Sequence, residues 1–243
     1  MTILECFSVE LIDAVNRWMI DSCPENAVRL DRIAGRLPIE FRSRDEPVFR
    51  RVALGKKSVW NLLGDECLLE KISSWTLSED VAKTFANGVP PKGEQGVIFR
   101  IDPTEGRTVI NLARLLESDG FRRAVATHAG AVNNLEYGIG EFRNTELEVL
   151  IDCKSVHPDR IVSFGGYSGS KEEIIRLASL QQFNREPAPE DQEYLERCLS
   201  ESKFKLGARW LTEQQVQDIR KRMEVRIDSL RLIKKIQNSS VDQ

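Results

Sequence analysis

The spacing of apolar residues changes twice along this chain, and those changes limit what it can fold into. From about Val9 to Leu37, apolar residues recur every three or four positions. Leu11, Ile12, Val15, Trp18 and Met19 fall on one side, the pattern of an amphipathic helix. Between Pro47 and Phe164 the pattern becomes short runs of β-branched and aromatic residues bounded by turn formers, which predicts strands with interspersed helices. From Lys171 the helical spacing returns in three stretches, parted near Pro187-Ala188-Pro189 and Lys205-Leu206-Gly207. A chain that is helical at both ends and strand-rich between them is expected to be α+β. The expected division is an N-terminal helical segment over 1–46, a strand-rich core over 47–168 and a helical C-terminal extension over 169–243.

Within the core, Val48 to Leu54 reads as a strand closed by Gly55, Ser58 to Leu69 as a helix and Ile72 to Thr76 as a strand. Ser78 is a natural N-cap for a helix through Ala86, with Glu79 and Asp80 in the first turn where the helix dipole favours acids. Gly96 to Ile101 and Thr108 to Ile110 are further strands, and Asn111 is placed to cap a helix from Leu112 to Glu117. Ala129 to Thr145, rich in Gly and Asn, reads as loop. Glu146 to Asp152 and Arg160 to Phe164 complete the strands.

Several function classes are excluded at this level. Cys6, Cys23, Cys67, Cys153 and Cys198 are odd in number and widely spaced, with no CxxC pair, so free thiols are expected and no metal site. His128 and His157 sit in no ligand spacing and beside no nucleophile motif, and read as structural. No phosphate-loop or Rossmann glycine pattern is present. A net charge of -3 does not announce a nucleic-acid binder. No stretch approaches the ~20 apolar residues of a membrane span. Met1 to Ile20 carries Glu5, Glu10 and Asp13 and no basic leader, so a soluble, cytoplasmic protein without membrane association is expected.

Three pieces carry chemistry. In the strand from Thr145 to Ile151, alternation puts Glu146 and Glu148 on one face and Leu147, Val149 and Ile151 on the other, the expected core side. Two like charges so placed repel unless a cation comes between them. In Ser73-Ser74-Trp75-Thr76, the hydroxyls of Ser74 and Thr76 share a face. In Phe49-Arg50-Arg51, a guanidinium projects from the first strand. Each piece alone is also compatible with an ordinary solvated strand.

Taken in order, Phe49-Arg50, Ser74-Trp75-Thr76, Ala82-Lys83-Thr84-Phe85-Ala86 and Glu146-Leu147-Glu148 resemble the arginine–serine–glutamate class of mono-ADP-ribosyltransferases. The resemblance spans Pro47 to Asp152. It implies an ADP-ribosyltransferase-like split β-sandwich core and NAD as the substrate that supplies ADP-ribose, with no metal. It implies Glu148, Glu146 and Ser74 as catalytic residues. Glu148 would grip the ribose and face the developing charge, Ser74 would hold Glu148, and Glu146 would orient the acceptor. Arg50, Ser74 and Thr76 would bind NAD, and Phe85 either lines that pocket or packs in the core. The preceding loop, with Tyr137, Phe142 and Arg143, would touch the acceptor or form an ordinary surface hairpin.

The acceptor implied is a macromolecule, either protein arginine or an RNA or DNA base. Glu at the first position of Glu146-Leu147-Glu148 goes with arginine acceptors in that family. Transferases of this class often resemble intracellular toxins or phage-defence effectors, which implies an antitoxin or docking partner. An NAD glycohydrolase and a non-catalytic NAD-fold binding module are the competing readings. The tail bears on the choice. Lys203 to Lys235 holds ten basic residues against four acidic ones, with Val216, Ile219, Met223, Ile227, Leu230 and Ile233 along one stripe. That helix reads as packed on the core, as a docking surface for a partner, or as a basic face for nucleic acid.

Overall fold

A computed structural model describes residues 6–88, 90–91, 93–140, 145–165, 171–201 and 209–224. The N-terminal helical pattern is two helices. In α1 (Val9–Ile20), the Ser8 side chain accepts from the Leu11 amide, and the Asp21 N–H closes the end on the Arg17 carbonyl. Pro24 sits at the first turn of α2 (Pro24–Ala34), where its missing N–H costs nothing. The expected single run from Val9 to Leu37 therefore breaks at residues 21–23.

Among the described residues, eight strands follow: β1 (Val48–Gly55), β2 (Leu68–Leu69), β3 (Ile72–Thr76), β4 (Glu94–Ile101), β5 (Arg107–Asn111), β6 (Glu148–Asp152), β7 (Ser155–Val156) and β8 (Ile161–Gly165). Between them lie α3 (Lys56–Leu63), α4 (Glu79–Thr84), α5 (Leu112–Glu117) and α6 (Asp119–His128); α7 (Lys171–Phe183) and α8 (Pro189–Glu201) come after, and residues 213–224 are helical. Ser78 caps α4 and Asn111 caps α5 through their side chains, as their positions predict.

Three expectations need correction. The helix expected from Ser58 to Leu69 stops at Leu63, because Gly64 and the left-handed Asp65 turn the chain and free Leu68-Leu69 to pair with β7. The helix α6 is not among the expected elements; it buries only Phe121 and Ala124, too thin a stripe to read against its charges. The strand expected from Glu146 begins at Glu148, because Leu147 is left-handed (φ 49°).

Six strands form one antiparallel sheet in the order β5-β6-β3-β1-β4-β8. β1 aligns with β4 over its whole length but with β3 through the single pair Phe49↔Thr76. The sheet is thus nearly divided at its middle into two three-stranded halves.

Among the described residues, two large apolar clusters and a small third one of Ala82, Ile98 and Val162 hold the fold. Leu11, Ile12, Val15 and Trp18 of α1 and Leu30 and Ile33 of α2 pack on Ile110 and Leu150. Val149 and Ile151 join Trp75, Phe99 and Ile161 in the second cluster. β6 is therefore buried on both faces, not on the Val149 side alone. Each large apolar side chain so buried contributes ~1.5–3 kcal/mol.

Asn16 of α1 is fully buried in the first cluster's neighbourhood and is satisfied by the loop that precedes β6. Its Nδ2 donates to the carbonyls of Asn133 (3.1 Å) and Asn134 (3.3 Å), and its Oδ1 accepts from the Ile139 amide at 3.0 Å. A Cβ at Gly138 would collide with the same Oδ1, so only glycine fits there. Asn16→Ala leaves buried backbone groups without partners and should cost about 3 kcal/mol. Denaturant unfolding measures that loss, and limited proteolysis should find new cleavage within residues 133–140. A variant as stable as the parent would mean that the loop is held by other contacts.

Candidate active site

A cleft of about 360 Å³ opens beside the nearly divided middle of the sheet. Its walls come from the end of α1, from β1 and β3, from α4 and from the segment entering β6. Glu148, the first residue of β6, pairs in register with Thr76, which in turn pairs with Phe49. This register places the glutamate, the hydroxyl strand and the aromatic-arginine strand at one level.

The Glu148 carboxylate is fixed from two directions. Trp18 Nε1 donates to its Oε1 at 2.9 Å, and the Ser74 hydroxyl hydrogen-bonds it from β3. Burial pushes its pKa above the usual carboxylate range; the Ser74 and Trp18 hydrogen bonds pull it back, and the charge of Glu146 raises it again. Burial also raises Glu146, which borders the same cleft. The two carboxylates reach one site, but not by regular strand alternation. Leu147 between them is left-handed and half-buried, with its carbonyl held by the Leu77 amide at 3.1 Å. A non-glycine residue in that conformation costs roughly 1–2 kcal/mol. The backbone kink, not the pleat, sets the approach of Glu146.

The other predicted residues are placed as follows. Thr76 lines the cleft, but its hydroxyl accepts from the Ser78 amide at 3.1 Å and so shapes the turn into α4. Arg50 lines the cleft while donating from Nε to Glu70 (3.0 Å) and from Nη1 to the Ser74 carbonyl (2.8 Å). It bridges β1 to β3 beyond their single register pair. Phe85 is not a core residue; it is 55% exposed at the end of α4 and borders the cleft. Tyr137 is 61% exposed in a turn and is not among the cleft-lining residues. Phe142 and Arg143 lie outside the described residues.

Trp18, Met19 and Ser22 also line the cleft, and no sequence signal singles them out for it; Arg51, which stands beside Arg50 in the aromatic-arginine motif and is the other arginine that motif offers, lines it as well. Trp18 reads as one more apolar position of α1. Only its indole N–H, a donor that must find a partner when buried, hints at a second role. Among the described residues, no group of His, Cys, Asp and Glu is arranged to hold a metal ion. Among them also, no helix is long and apolar enough to cross a membrane. The arrangement provides a half-buried carboxylate with fixed orientation, a second carboxylate beside it and two arginines at the wall. Such a set can bind a ligand hydroxyl and stabilise positive charge that develops over it.

No family model matches the chain. No curated protein matches it. Among solved structures, it is similar to a crystal structure of the ADP-ribosyltransferase Vis in complex with M6 inhibitor. That likeness has 15% sequence identity and a TM-score of 0.38, and it covers 63% of this chain and 67% of the other.

The raised pKa of Glu148 has a consequence for stability. The folded state holds this proton more tightly than the unfolded chain does. The group's stabilising contribution is therefore complete at low pH and is lost as pH rises through the raised value. Glu148→Gln removes the cost of ionisation. The variant should melt at a higher temperature than the parent at neutral pH, and the gap should close as pH falls to about 4. Calorimetric melting across that range tests this, and a gap that does not change with pH would mean that Glu148 titrates as an exposed carboxylate.

Proposed function

We propose that the chain is an NAD-dependent mono-ADP-ribosyltransferase that transfers ADP-ribose from NAD to a macromolecular acceptor, with protein arginine as the acceptor class. The observation that carries this reading is the half-buried Glu148 carboxylate, held by Trp18 and Ser74 at a cleft that Glu146 also borders. At about 360 Å³, the cleft falls in the size range of small-ligand sites, ~300–1,000 Å³.

Breaking the bond between nicotinamide and ribose leaves positive charge on the ribose, as in glycoside cleavage. The electron pair departs with nicotinamide. Glu148 binds a ribose hydroxyl and faces the carbon where the charge grows. A carboxylate ~4 Å from a unit positive charge, at an effective dielectric of ~20, stabilises it by about 4 kcal/mol. Only the part that grows at the transition state raises the rate, and that part requires a carboxylate already fixed in place. Ser74 and Trp18 supply the fixing. Glu146 orients the incoming acceptor nitrogen and takes up its proton as the new bond to ribose forms. Arg50 offers hydrogen-bond donors to the dinucleotide and braces the Ser74 backbone, with most of its charge answered by Glu70. Thr76 supports the wall through its turn, and Phe85 offers a face at the mouth for a planar ring.

Purified protein incubated with labelled NAD and a cell lysate should label macromolecules and release nicotinamide. Label removed by protease alone supports a protein acceptor. Label removed by nuclease alone moves the acceptor to nucleic acid. Absence of both label and nicotinamide release overturns the transferase reading. Glu148→Gln should lower transfer and NAD hydrolysis alike by roughly a thousandfold. Glu146→Gln should damage transfer more than hydrolysis.

Trp18 is a positioning residue in this scheme. Its N–H donates to the ionised carboxylate and so favours the active form. Trp18→Phe should lower kcat/KM roughly tenfold to a hundredfold, the range for a lost hydrogen bond to a charge. It should also move the acid limb of the pH–activity profile to higher pH. A fall in activity with an unmoved acid limb would assign Trp18 a packing role only.

A further inference from the structure

The two arginines of β1 stand in different electrostatic situations. Arg50 faces Glu70 across 3.0 Å, and the Glu70 side chain is only 10% exposed, so this charge is balanced before any ligand arrives. Arg51 has no carboxylate partner among the described residues. Its Nη1 donates to the Phe85 carbonyl, a neutral acceptor, and its guanidinium lies 5.8 Å from the centre of the Trp210 ring. Burial lowers its pKa, and no neighbouring carboxylate offsets the shift. Arg50 and Arg51 are the only cations that line the cleft among the described residues, against the acids Glu146 and Glu148. An anionic ligand thus meets two carboxylates and a single guanidinium whose charge is unanswered.

Arg51 is held there by the C-terminal extension. Trp210 lies where Gly96 of β4 pairs with Gly165 of β8. A Cβ at Gly96 would come within 2.8 Å of the Trp210 ring, and one at Gly165 would strike the backbone of Arg209 and Trp210. The paired glycines leave a bare patch on the sheet that admits the segment. Trp210 Nε1 then donates to the Lys83 carbonyl of α4 at 3.2 Å, and the Leu211 amide donates to the Phe164 carbonyl at 2.7 Å. The indole is tied through its N–H, the backbone beside it is tied to β8, and the ring is presented to Arg51.

We infer that Arg51, seated on Trp210, is the anchor for the diphosphate of the dinucleotide, and that Arg50 chiefly braces the parting between β1 and β3. This assignment rests on the proposed NAD-dependent activity and adds the C-terminal extension to the binding site. A planar guanidinium meets two phosphate oxygens at once, and an aromatic face keeps that plane oriented without neutralising its charge.

Calorimetric titration of the full chain with ADP-ribose tests it, with adenosine as the ligand that lacks the diphosphate. Arg51→Gln should weaken ADP-ribose at least tenfold and leave adenosine within about twofold. In nicotinamide release, the same variant should raise KM for NAD at least tenfold with kcat little changed. Trp210→Leu should weaken ADP-ribose several-fold, and Trp210→Phe should keep most of the affinity. Parent-like ADP-ribose binding by Arg51→Gln overturns the assignment while the functional reading stands. Failure of the parent to bind ADP-ribose or NAD overturns the functional reading and the assignment together. If the Gln variant does not fold, Arg51→Lys decides the matter. It keeps the charge but not the two-pronged fork, so a several-fold loss is expected, and unchanged affinity overturns the assignment.

Discussion

A carboxylate withdrawn from most of its water needs donors to replace it, and the half-buried Glu148 finds those donors on two separate parts of the chain. Ser74 reaches it from the neighbouring strand, at a place set by the register of β3 on β6. Trp18 reaches it from α1, 130 residues away in sequence. The site therefore does not exist until α1 has docked. That docking is driven by Leu11, Ile12 and Val15, whose burial contributes far more than one hydrogen bond. Asn16 sits on the same helix and ties down the loop that leads towards Glu146 and Glu148. One helix thus sets the orientation of the half-buried glutamate and holds residues 133–139 of the loop that precedes it.

The middle of the sheet shows a second constraint. β1 and β3 share one register pair and then part. A parting inside a sheet exposes backbone groups that need partners. Arg50 answers one of them by donating to the Ser74 carbonyl, and Glu70 compensates the guanidinium. The next residue, Arg51, leaves the strand on the opposite side of the pleat and meets an indole and a carbonyl instead of an acid. Adjacent arginines thus take different electrical roles because the strand turns them towards different neighbours.

The C-terminal extension meets the core through its backbone as much as through its side chains. Ser163 Oγ donates to the Leu211 carbonyl at 2.7 Å, Gly165 bridges Trp210, and Val216 is fully buried in the second apolar cluster. Residues 210–211 therefore cover part of the open edge of β8, an edge that would otherwise present unpaired amides and carbonyls. The described part of the amphipathic stripe behaves as a packed helix, with Val216 buried and Ile219 and Met223 half-buried.

Much of this is legible in residue type and spacing. Local signals act through neighbours in the chain, so the capping of α4 by Ser78 and of α5 by Asn111, the extent of β3 and the α+β class can all be read from them. The motifs also group Glu146, Glu148, Ser74, Thr76, Arg50 and Phe85 as a set, and all six border one cleft. What local pattern misses depends on contacts between distant segments. Leu147 is not a strand residue, because Leu77 holds its carbonyl in a kink that no local propensity favours. Trp18 carries the same apolar spacing as its neighbours, and only the docked helix aims its N–H at Glu148. The different partners of Arg50 and Arg51 are likewise invisible in Phe49-Arg50-Arg51. Residue type and spacing set most of the elements, though not α6 or the start of β6, and the chemical groups on offer. The tertiary structure alone decided which of those groups are buried, paired or left with unanswered charge, because burial and pairing depend on distance in space, which local pattern does not encode.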